Sequence, residues 1–474
     1  MKLSQIIQDI EIKKPITDDV EITGIAYDSR SVKPGYLFVA IKGFETDGHK
    51  YIKSAIENGA AAIIGEEEHI TDAIYVQAKN SRRALAQAAA AFYDHPERKL
   101  KIIGITGTNG KTTTTYLIRQ ILMLKGLRCD LIGTNQTIIG DEVRESSRTT
   151  PESLDLFEIF SQMAQSGGEY VVMEVSSHSL FLDRVYGVTF ETAVLTNITQ
   201  DHLDFHETMQ NYARAKAILF SMSKSAAVNV DSDYKDIILE NTTGRLTTYG
   251  LKEKADVRAE NLKMSERGVI FDLLREGKVR EMRLGIPGEF SVYNALAAIC
   301  ACENIGIEDS DIEKGLVLAK PVKGRIEVVH TNTPYTVIID YAHSPDGLQN
   351  IISAVRGFAK KRIITVFGCG GNRDSAKRPI MGKIAEELSD IAVVTSDNPR
   401  CEVPSAIIED ILKGMKMDNH IVVENRREAI KKAMEIAQDG DIIILAGKGH
   451  ETYQEIEHEK HHFDEREVVR ELLR

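Results

Sequence analysis

The run Gly104–Thr115, GITGTNGKTTTT, carries glycines, a lysine and hydroxyls at a spacing that can hold a phosphate chain. Glycines let backbone amides converge on an anion, a lysine reaches the terminal phosphate oxygens, and a hydroxyl opening the next helix can bind Mg²⁺. Gly107, Gly110, Lys111 and Thr112 supply all three, with Thr108, Asn109 and Thr113 among them. The spelling departs from the common G-x-x-x-x-G-K-[ST] pattern, because Ile105 stands where the first glycine belongs. A tight turn with a solvated lysine has the same composition. The context favours a nucleotide site: an apolar strand, Lys101–Thr106, enters the loop and an amphipathic helix from Thr112 to about Lys125 leaves it.

Other residues could join such a site. Glu174 closes the apolar run VVMEVSSH, and a carboxylate at a strand end beside a phosphate loop binds Mg²⁺ or orients water; it could also neighbour a helix cap or form an ion pair. DHLDFH (201–206) packs two histidines and two aspartates together, which suits zinc or a helix cap, although zinc sites rarely accompany a phosphate loop. By residue type alone Lys216, in NYARAKAILF, reads as a surface lysine, and Arg184 as a ligand contact or a surface ion pair. Arg325 could stabilise transferring phosphoryl charge or form a salt bridge at a domain boundary. SDNPR, with Asp397, Asn398, Pro399 and Arg400, is by itself a common turn in which proline fixes φ.

These residues need a scaffold of several units. The chain has 474 residues, more than one core usually supports, so about three domains are expected: 1–98, 99–322 and 323–474. The first break falls in the charged turn DHPERKL after an Ala-rich helix, the second near VLAKPVKGRIEVV. Apolar β-branched runs (YVVMEVSS, TAVLTNIT, AAVNVD, then YTVIIDYA, RIITVFGCGG, IAVVTSDNPR, HIVVEN and DIIILAGKGHE) alternate with helical stretches. That rhythm predicts an α/β protein with parallel-type sheets: a smaller α/β N-terminal unit, a central P-loop unit and a Rossmann-like C-terminal unit. In four of the last five runs polar or glycine residues begin where the strand ends, the edge at which open α/β sheets bind ligands. The net charge of −12 argues against non-specific nucleic-acid or membrane binding. Five scattered cysteines make no disulfide framework; Cys300 and Cys302 read as small buried residues. The opening MKLSQIIQDIEIKK has no long apolar region, and no run approaches the roughly 18 residues of a membrane helix, so a reduced, cytoplasmic enzyme is expected.

T-G-T-N-G-K-T at Thr106–Thr112 resembles the signature of the Mur ligases, the ATP-dependent amide-forming enzymes of peptidoglycan synthesis; folylpolyglutamate synthetases share a shorter form. The resemblance spans nearly the whole chain. It implies that His202 belongs to a magnesium site of two ions with Thr112 and Glu174, and that Lys216 carries a CO₂-derived carbamate. A carbamate is an anionic oxygen ligand, which an ammonium is not. Asn294 in YNALAA, Arg325 in KGRIEVV and Asp340 in DYAHSPDGL match positions that contact ATP. The stretch Asp28–Ile52, with Ser29, resembles the first domain of the tripeptide-forming members, which holds the UDP end of the substrate. Thr149 and Thr150 in RTTPESL offer hydroxyls to a sugar or peptide, and Ser176 and Arg184 match positions that bind the uridylated peptide. Leu182 departs from the pattern, since some relatives carry glutamine there, and puts one substrate hydrogen bond in doubt.

D-N-P-R resembles the signature of members that add meso-diaminopimelate, whereas lysine-adding members lack the arginine. Diaminopimelate has a second carboxylate that a guanidinium can grip with two parallel bonds, and an arginine left unpaired would reject lysine. Arg373 in GGNRD, with Gly447 and Glu451 in GKGHE, match the rest of that pocket, Glu451 being suited to the far ammonium. The resemblance therefore implies a monomer that phosphorylates the D-glutamyl side carboxylate of UDP-N-acetylmuramoyl-L-Ala-D-Glu with ATP, Lys111 and Mg²⁺ neutralising charge, and lets the amine of diaminopimelate attack the acyl phosphate. Two alternatives stand beside it: a folylpolyglutamate-type ligase, and a P-loop switch or motor, against which no N-K-x-D guanine motif is found.

Overall fold

The computed structural model describes residues 1–16, 18–43, 46–68, 73–265 and 267–473. Strands Lys101–Thr106, Tyr170–Glu174, Thr192–Leu195 and Ser225–Asn229 run parallel in the middle of an 11-stranded sheet. Helices cover both of its faces, which is why these strands read as continuous apolar runs rather than alternating ones. Helix Lys111–Leu124 follows the phosphate loop and buries Leu117, Ile118, Ile121 and Leu122 against helix Glu289–Asn304.

The flanks of this sheet depart from the parallel expectation. Gln136–Ile139 and Glu142–Glu145 form a hairpin on one side; Val257–Ser265, Gly268–Arg275 and Lys278–Leu284 form an antiparallel meander on the other. The cause is local. Glu276 and Gly277 have φ of +49° and +73°, the left-handed pair of a two-residue turn whose twist matches a hairpin. Strand Gly268–Arg275, which enters that turn, alternates fully and partly buried residues.

A four-stranded parallel sheet, Gly24–Ala26, Tyr36–Val39, Ala62–Gly65 and Ile74–Gln77, precedes the central one. Its following helix, Ser81–Phe92, is capped by the Asn80 side chain and packs its alanine face on helix Ser153–Gln165. The last sheet has six strands in the order Glu327–Val329, Thr336–Asp340, Ile442–Ala446, Ile363–Phe367, Ile391–Val394 and His420–Val422, only the first antiparallel. Helices Pro345–Arg356, Lys377–Leu388 and Pro404–Leu412 cover one face; Arg426–Ile436 and Glu465–Leu472 cover the other, the doubly wound arrangement.

The segments that leave the carboxyl ends of the central and last sheets meet. Asn109 Nδ2 donates to Asp346 Oδ2 at 2.7 Å, Gln200 Nε2 to Asp374 Oδ2 at 3.5 Å, and Asn135 Nδ2 to the Lys323 carbonyl at 3.0 Å.

Candidate functional site

The phosphate loop closes on positions that only glycine fills. Gly107 has φ +148°, and a Cβ there would lie 1.9 Å from Thr196 Oγ1; Gly110 has φ +85°, and its Cβ would lie 2.3 Å from Asn294 Oδ1. Thr108 Oγ1 is bound between the Thr199 backbone and the Tyr212 hydroxyl, and the Asn109 amide donates to Asn197 Oδ1 at 2.9 Å. Lys111 Nζ folds back to the carbonyls of Gly107 and Thr108 at 2.9 and 2.8 Å. Lys216 is not a surface residue. It is 1% exposed, its Nζ donates to the same Gly107 carbonyl at 2.9 Å, and it stands over the Tyr212 ring. Burial, then the Lys111 charge, drives the Lys216 ammonium well below its ordinary pKa; burial lowers Lys111 as well.

Thr112, Glu174 and Thr134 form one buried oxygen cluster. Glu174 Oε1 accepts from the Thr112 hydroxyl and the Thr134 amide, both at 2.9 Å, while Oε2 accepts from the Thr134 hydroxyl at 3.0 Å. His202 sits nearby in the left-handed region (φ +53°), its Nε2 3.5 Å from Asp201 Oδ2. Burial keeps its imidazole neutral. Burial also penalises the Asp201 charge, but its surroundings outweigh it and hold that carboxyl below the usual range: the adjacent His202 and His343 rings, the Lys377 ammonium, and the His202 amide that donates to Oδ1 at 2.9 Å. DHLDFH makes no zinc cluster. His206 Nε2 pairs with Ser177 Oγ at 2.9 Å, and among the described residues only Asp47, His49 and Glu67 bring three such ligand atoms together. Both ring nitrogens of His49 already have partners, Asp47 Oδ1 at 2.6 Å and the Glu66 amide at 2.9 Å.

Two cavities open from this loop. One, of about 470 Å³, is lined by Gly110, Thr112, Asn294, Arg325, Asp340 and Asp346 among others. Arg325 stacks on the Tyr341 ring, with one guanidinium nitrogen 3.4 Å from Thr112 Oγ1 and its Nε buried without a partner. Asp340 accepts the amides of Ile326 and Ala342, both at 2.8 Å, and burial raises its pKa.

The other cavity, of about 1090 Å³, runs from Thr113, Thr149 and His202 to Arg373, Asp397, Asn398, Arg400, Gly447 and Glu451. At its far end Asn398 Nδ2 donates to Glu451 Oε2 at 2.9 Å, and Pro399 holds the turn into Arg400, whose φ is +52°. Arg400 Nε bonds Glu455 Oε2 at 3.0 Å and another of its guanidinium nitrogens bonds the Gly371 carbonyl at 2.9 Å. The expectation that this arginine stands unpaired without a ligand is corrected: Glu455 already balances its charge, and part of its fork is in use. For Asp397, burial opposes ionisation, but Lys448 and Arg426 outweigh it and keep the carboxyl below its usual range. Arg373 is exposed, and among the described residues its side chain bonds the neighbouring Asn372 carbonyl, at 3.4 Å.

Of the remaining expected residues, Thr149 lines the large cavity, while Thr150, Ser176, Arg184 and Ser29 line neither. The Thr149 hydroxyl meets that of Thr134 at 3.0 Å. Thr150 Oγ1 donates to the Glu174 carbonyl at 2.9 Å and accepts the Ser176 amide at 3.1 Å, while Ser176 caps helix Ser177–Phe181. Arg184 bonds Glu152 Oε2 at 3.2 Å and the Thr150 carbonyl at 3.3 Å. Arg82 and Arg148 reach the same buried Glu152, at 3.6 and 4.0 Å, so three guanidiniums share one carboxylate. Ser29 is buried in a short 3₁₀ turn of the first unit, where its carbonyl accepts Asn58 Nδ2 at 2.9 Å, and it lines neither cavity.

Comparison with known proteins decides the family. Residues 21–109 match "Mur ligase family, catalytic domain", 105–302 match "Mur ligase middle domain" and 324–449 match "Mur ligase, glutamate ligase domain". The chain is 50% identical to UDP-N-acetylmuramoyl-L-alanyl-D-glutamate–2,6-diaminopimelate ligase 1 of Clostridium acetobutylicum, over 100% of this chain and 99% of that one. The chain belongs to the Mur ligase family. A Clostridium botulinum relative named as the same ligase is 49% identical over the full length of both chains. A solved structure with that name superposes with a TM-score of 0.70 at 31% identity, covering 100% of this chain and 98% of that one.

Sequence reasoning passed over three residues of this Mur ligase. Lys448 is fully buried and bonds Asn398 Oδ1 at 2.7 Å and Glu451 Oε2 at 3.0 Å, so it holds both pocket residues in place. Its signal was present in GKGHE, between residues that were chosen. Asp201 and His343 also line the large cavity; DYAHSPDGL contained His343, but nothing in its spacing marked it.

Proposed function

We propose that this chain is an ATP-dependent ligase that adds meso-diaminopimelate to UDP-N-acetylmuramoyl-L-alanyl-D-glutamate through an acyl phosphate, with residues 1–98, 99–322 and 323–474 as its acceptor, nucleotide and amino-acid units. The observation that carries this reading is the continuity of the large cavity: one wall holds His202 beside the phosphate loop, and the other holds Asn398, Arg400 and Glu451. A phosphorylated carboxylate at the first wall and an amino acid anchored at the second would share one space. The 470 Å³ cavity, with Asn294, Arg325 and Asp340, takes the nucleotide. Lys111, now on two loop carbonyls, is free to exchange them for phosphate oxygens. Arg325 would stabilise the transferring charge.

The donor set fits Mg²⁺, a hard cation with oxygen ligands: the Thr112 hydroxyl and Glu174 carboxylate already meet at 2.9 Å, and His202 lines the cavity that Thr113 and Thr134 also line. When bound, two such ions would neutralise the phosphoryl oxygens. Lys216 fits as a carbamate. Its amine is driven toward the neutral form, and among the described residues it donates to a carbonyl and lies over the Tyr212 ring rather than meeting a carboxylate. The lone pair can add to CO₂, losing a proton and leaving an anionic oxygen for the metal. Arg184, Ser176, Thr149, Thr150 and Ser29 are assigned to the uridylated peptide. Arg400 and Arg373 face the far carboxylate of diaminopimelate, and Asp397, Asn398, Pro399, Gly447 and Glu451 complete that pocket. No helix among the described residues is long and apolar enough to cross a membrane. We take the enzyme as a cytoplasmic monomer that needs neither membrane nor nucleic acid.

The test is phosphate release from ATP by the purified protein with Mg²⁺ and UDP-N-acetylmuramoyl-L-Ala-D-Glu, comparing meso-diaminopimelate with L-lysine. Release that requires both the uridylated peptide and diaminopimelate is expected. Release with lysine instead would keep the ligase and overturn the role of Arg400. Release indifferent to both would move the chain to a folate-type ligase or a switch.

A further inference from the structure

We propose that His343 is the base that takes the proton from the incoming amino group, an assignment that rests on the ligase reading above. An amino acid arrives as an ammonium, which has no lone pair; it must lose a proton before it can attack an acyl phosphate. Several of the titratable groups in the cavity wall are already engaged. Asp397 is kept ionised by Lys448 and Arg426, Glu451 is bound by Asn398 and Lys448, and His202 is assigned to the metal.

His343 differs from all of these. It lies in the short connection between strand Thr336–Asp340 and helix Pro345–Arg356, in the wall of the large cavity, within electrostatic reach of both Asp201 and Asp397. Its Nδ1 is 2.9 Å from the Tyr341 carbonyl. A carbonyl only accepts, so Nδ1 carries the hydrogen and the lone pair is on Nε2. The connection is fixed at both ends: the His343 carbonyl accepts Lys377 Nζ at 3.0 Å, and Ser344 caps the helix through the Gly347 amide at 3.2 Å. Burial first, then the Lys377 and Arg325 charges, keeps the imidazole neutral before substrate arrives, while Asp201 favours the imidazolium once formed. Asp397 and His450 are the other titratable groups in electrostatic reach. The protons balance. One passes from the ammonium to Nε2, the nitrogen lone pair bonds the acyl carbon, the carbon–oxygen bond to phosphate breaks, and the second amine proton leaves with the phosphate.

His343→Asn in the full chain keeps a hydrogen-bond donor near the Tyr341 carbonyl but removes the base. We would measure its turnover with diaminopimelate, and its formation of hydroxamate when hydroxylamine, already unprotonated at neutral pH, replaces the amino acid. Diaminopimelate turnover is expected to fall about 100-fold or more and to recover as pH is raised, with hydroxamate formation retained within about threefold. A parallel fall in both reactions, also seen in His343→Gln, would make the residue structural and overturn the assignment; so would unchanged turnover with diaminopimelate. Wild-type enzyme that forms neither amide nor hydroxamate would overturn the ligase reading itself, and this assignment with it.

Discussion

Lys111 and Lys216 lean on one carbonyl oxygen, that of Gly107, although two ammonium groups so placed repel each other. The conflict is relieved if Lys216 is neutral, which its burial favours. Lys216→Ala is therefore expected to lower turnover about 100-fold or more, with partial recovery in bicarbonate or chloride; wild-type rates in the alanine variant would remove the carbamate from the mechanism. Arg400 gives a separate prediction. Two of its guanidinium nitrogens are engaged with Glu455 and Gly371, so it can still offer its remaining donors to a carboxylate. A charge-assisted bond of about 1.5–3 kcal/mol predicts that Arg400→Met raises KM for diaminopimelate roughly 10- to 100-fold with little change in kcat, as steady-state kinetics would read. Discrimination against lysine should shrink with it. Because Glu455 already neutralises Arg400, that discrimination comes from the lost bond rather than from a stranded charge.

At the scale of elements, the loop between strand Lys101–Thr106 and helix Lys111–Leu124 leaves no room for change. Gly110→Ala puts a Cβ where φ is +85° and Asn294 Oδ1 stands 2.3 Å away. The strain is of order 1–3 kcal/mol and would displace Asn294 from the cavity proposed for the nucleotide, so on that assignment the variant should lose the rise in melting temperature expected from ATP in the parent. This loop was legible in the sequence because its strand, its glycines and its helix face each leave a pattern. The parallel strands were legible for a similar reason: burial on both faces forces unbroken apolar runs. The meander Val257–Leu284 was not, because its outer strand, KVREMRL, is mostly solvated and shows no apolar run at all. Lys216 and Lys448 escaped residue-by-residue reading because a buried lysine and a surface lysine are spelled alike; only the resemblance recovered the first, and nothing recovered the second. The convergence of Arg82 from the first unit with Arg148 and Arg184 on Glu152 is a tertiary fact with no local signature.

At the scale of the whole molecule, several buried imidazoles set how the fold answers acid. Burial, then His178 and Lys216, lowers His206 to about 4; burial, then Arg325, lowers His450 to about 3. The unfolded chain takes up these protons near pH 6.5, the folded chain only well below. The stability they contribute is thus complete above about pH 6.5 and is lost as pH falls toward about 4. Melting temperature should decline through that window, and His206→Gln, which can keep a bond to Ser177 without titrating, should make the decline shallower. The bond from Lys216 to the loop carbonyl carries one more consequence. The amine donates a hydrogen to Gly107 and keeps its lone pair for carbon dioxide, so on the carbamate reading the resting enzyme and the working enzyme would differ by one molecule of dissolved gas. Protein held in degassed, bicarbonate-free buffer would be folded yet idle, and its first turnovers would show a lag that shortens as bicarbonate is added.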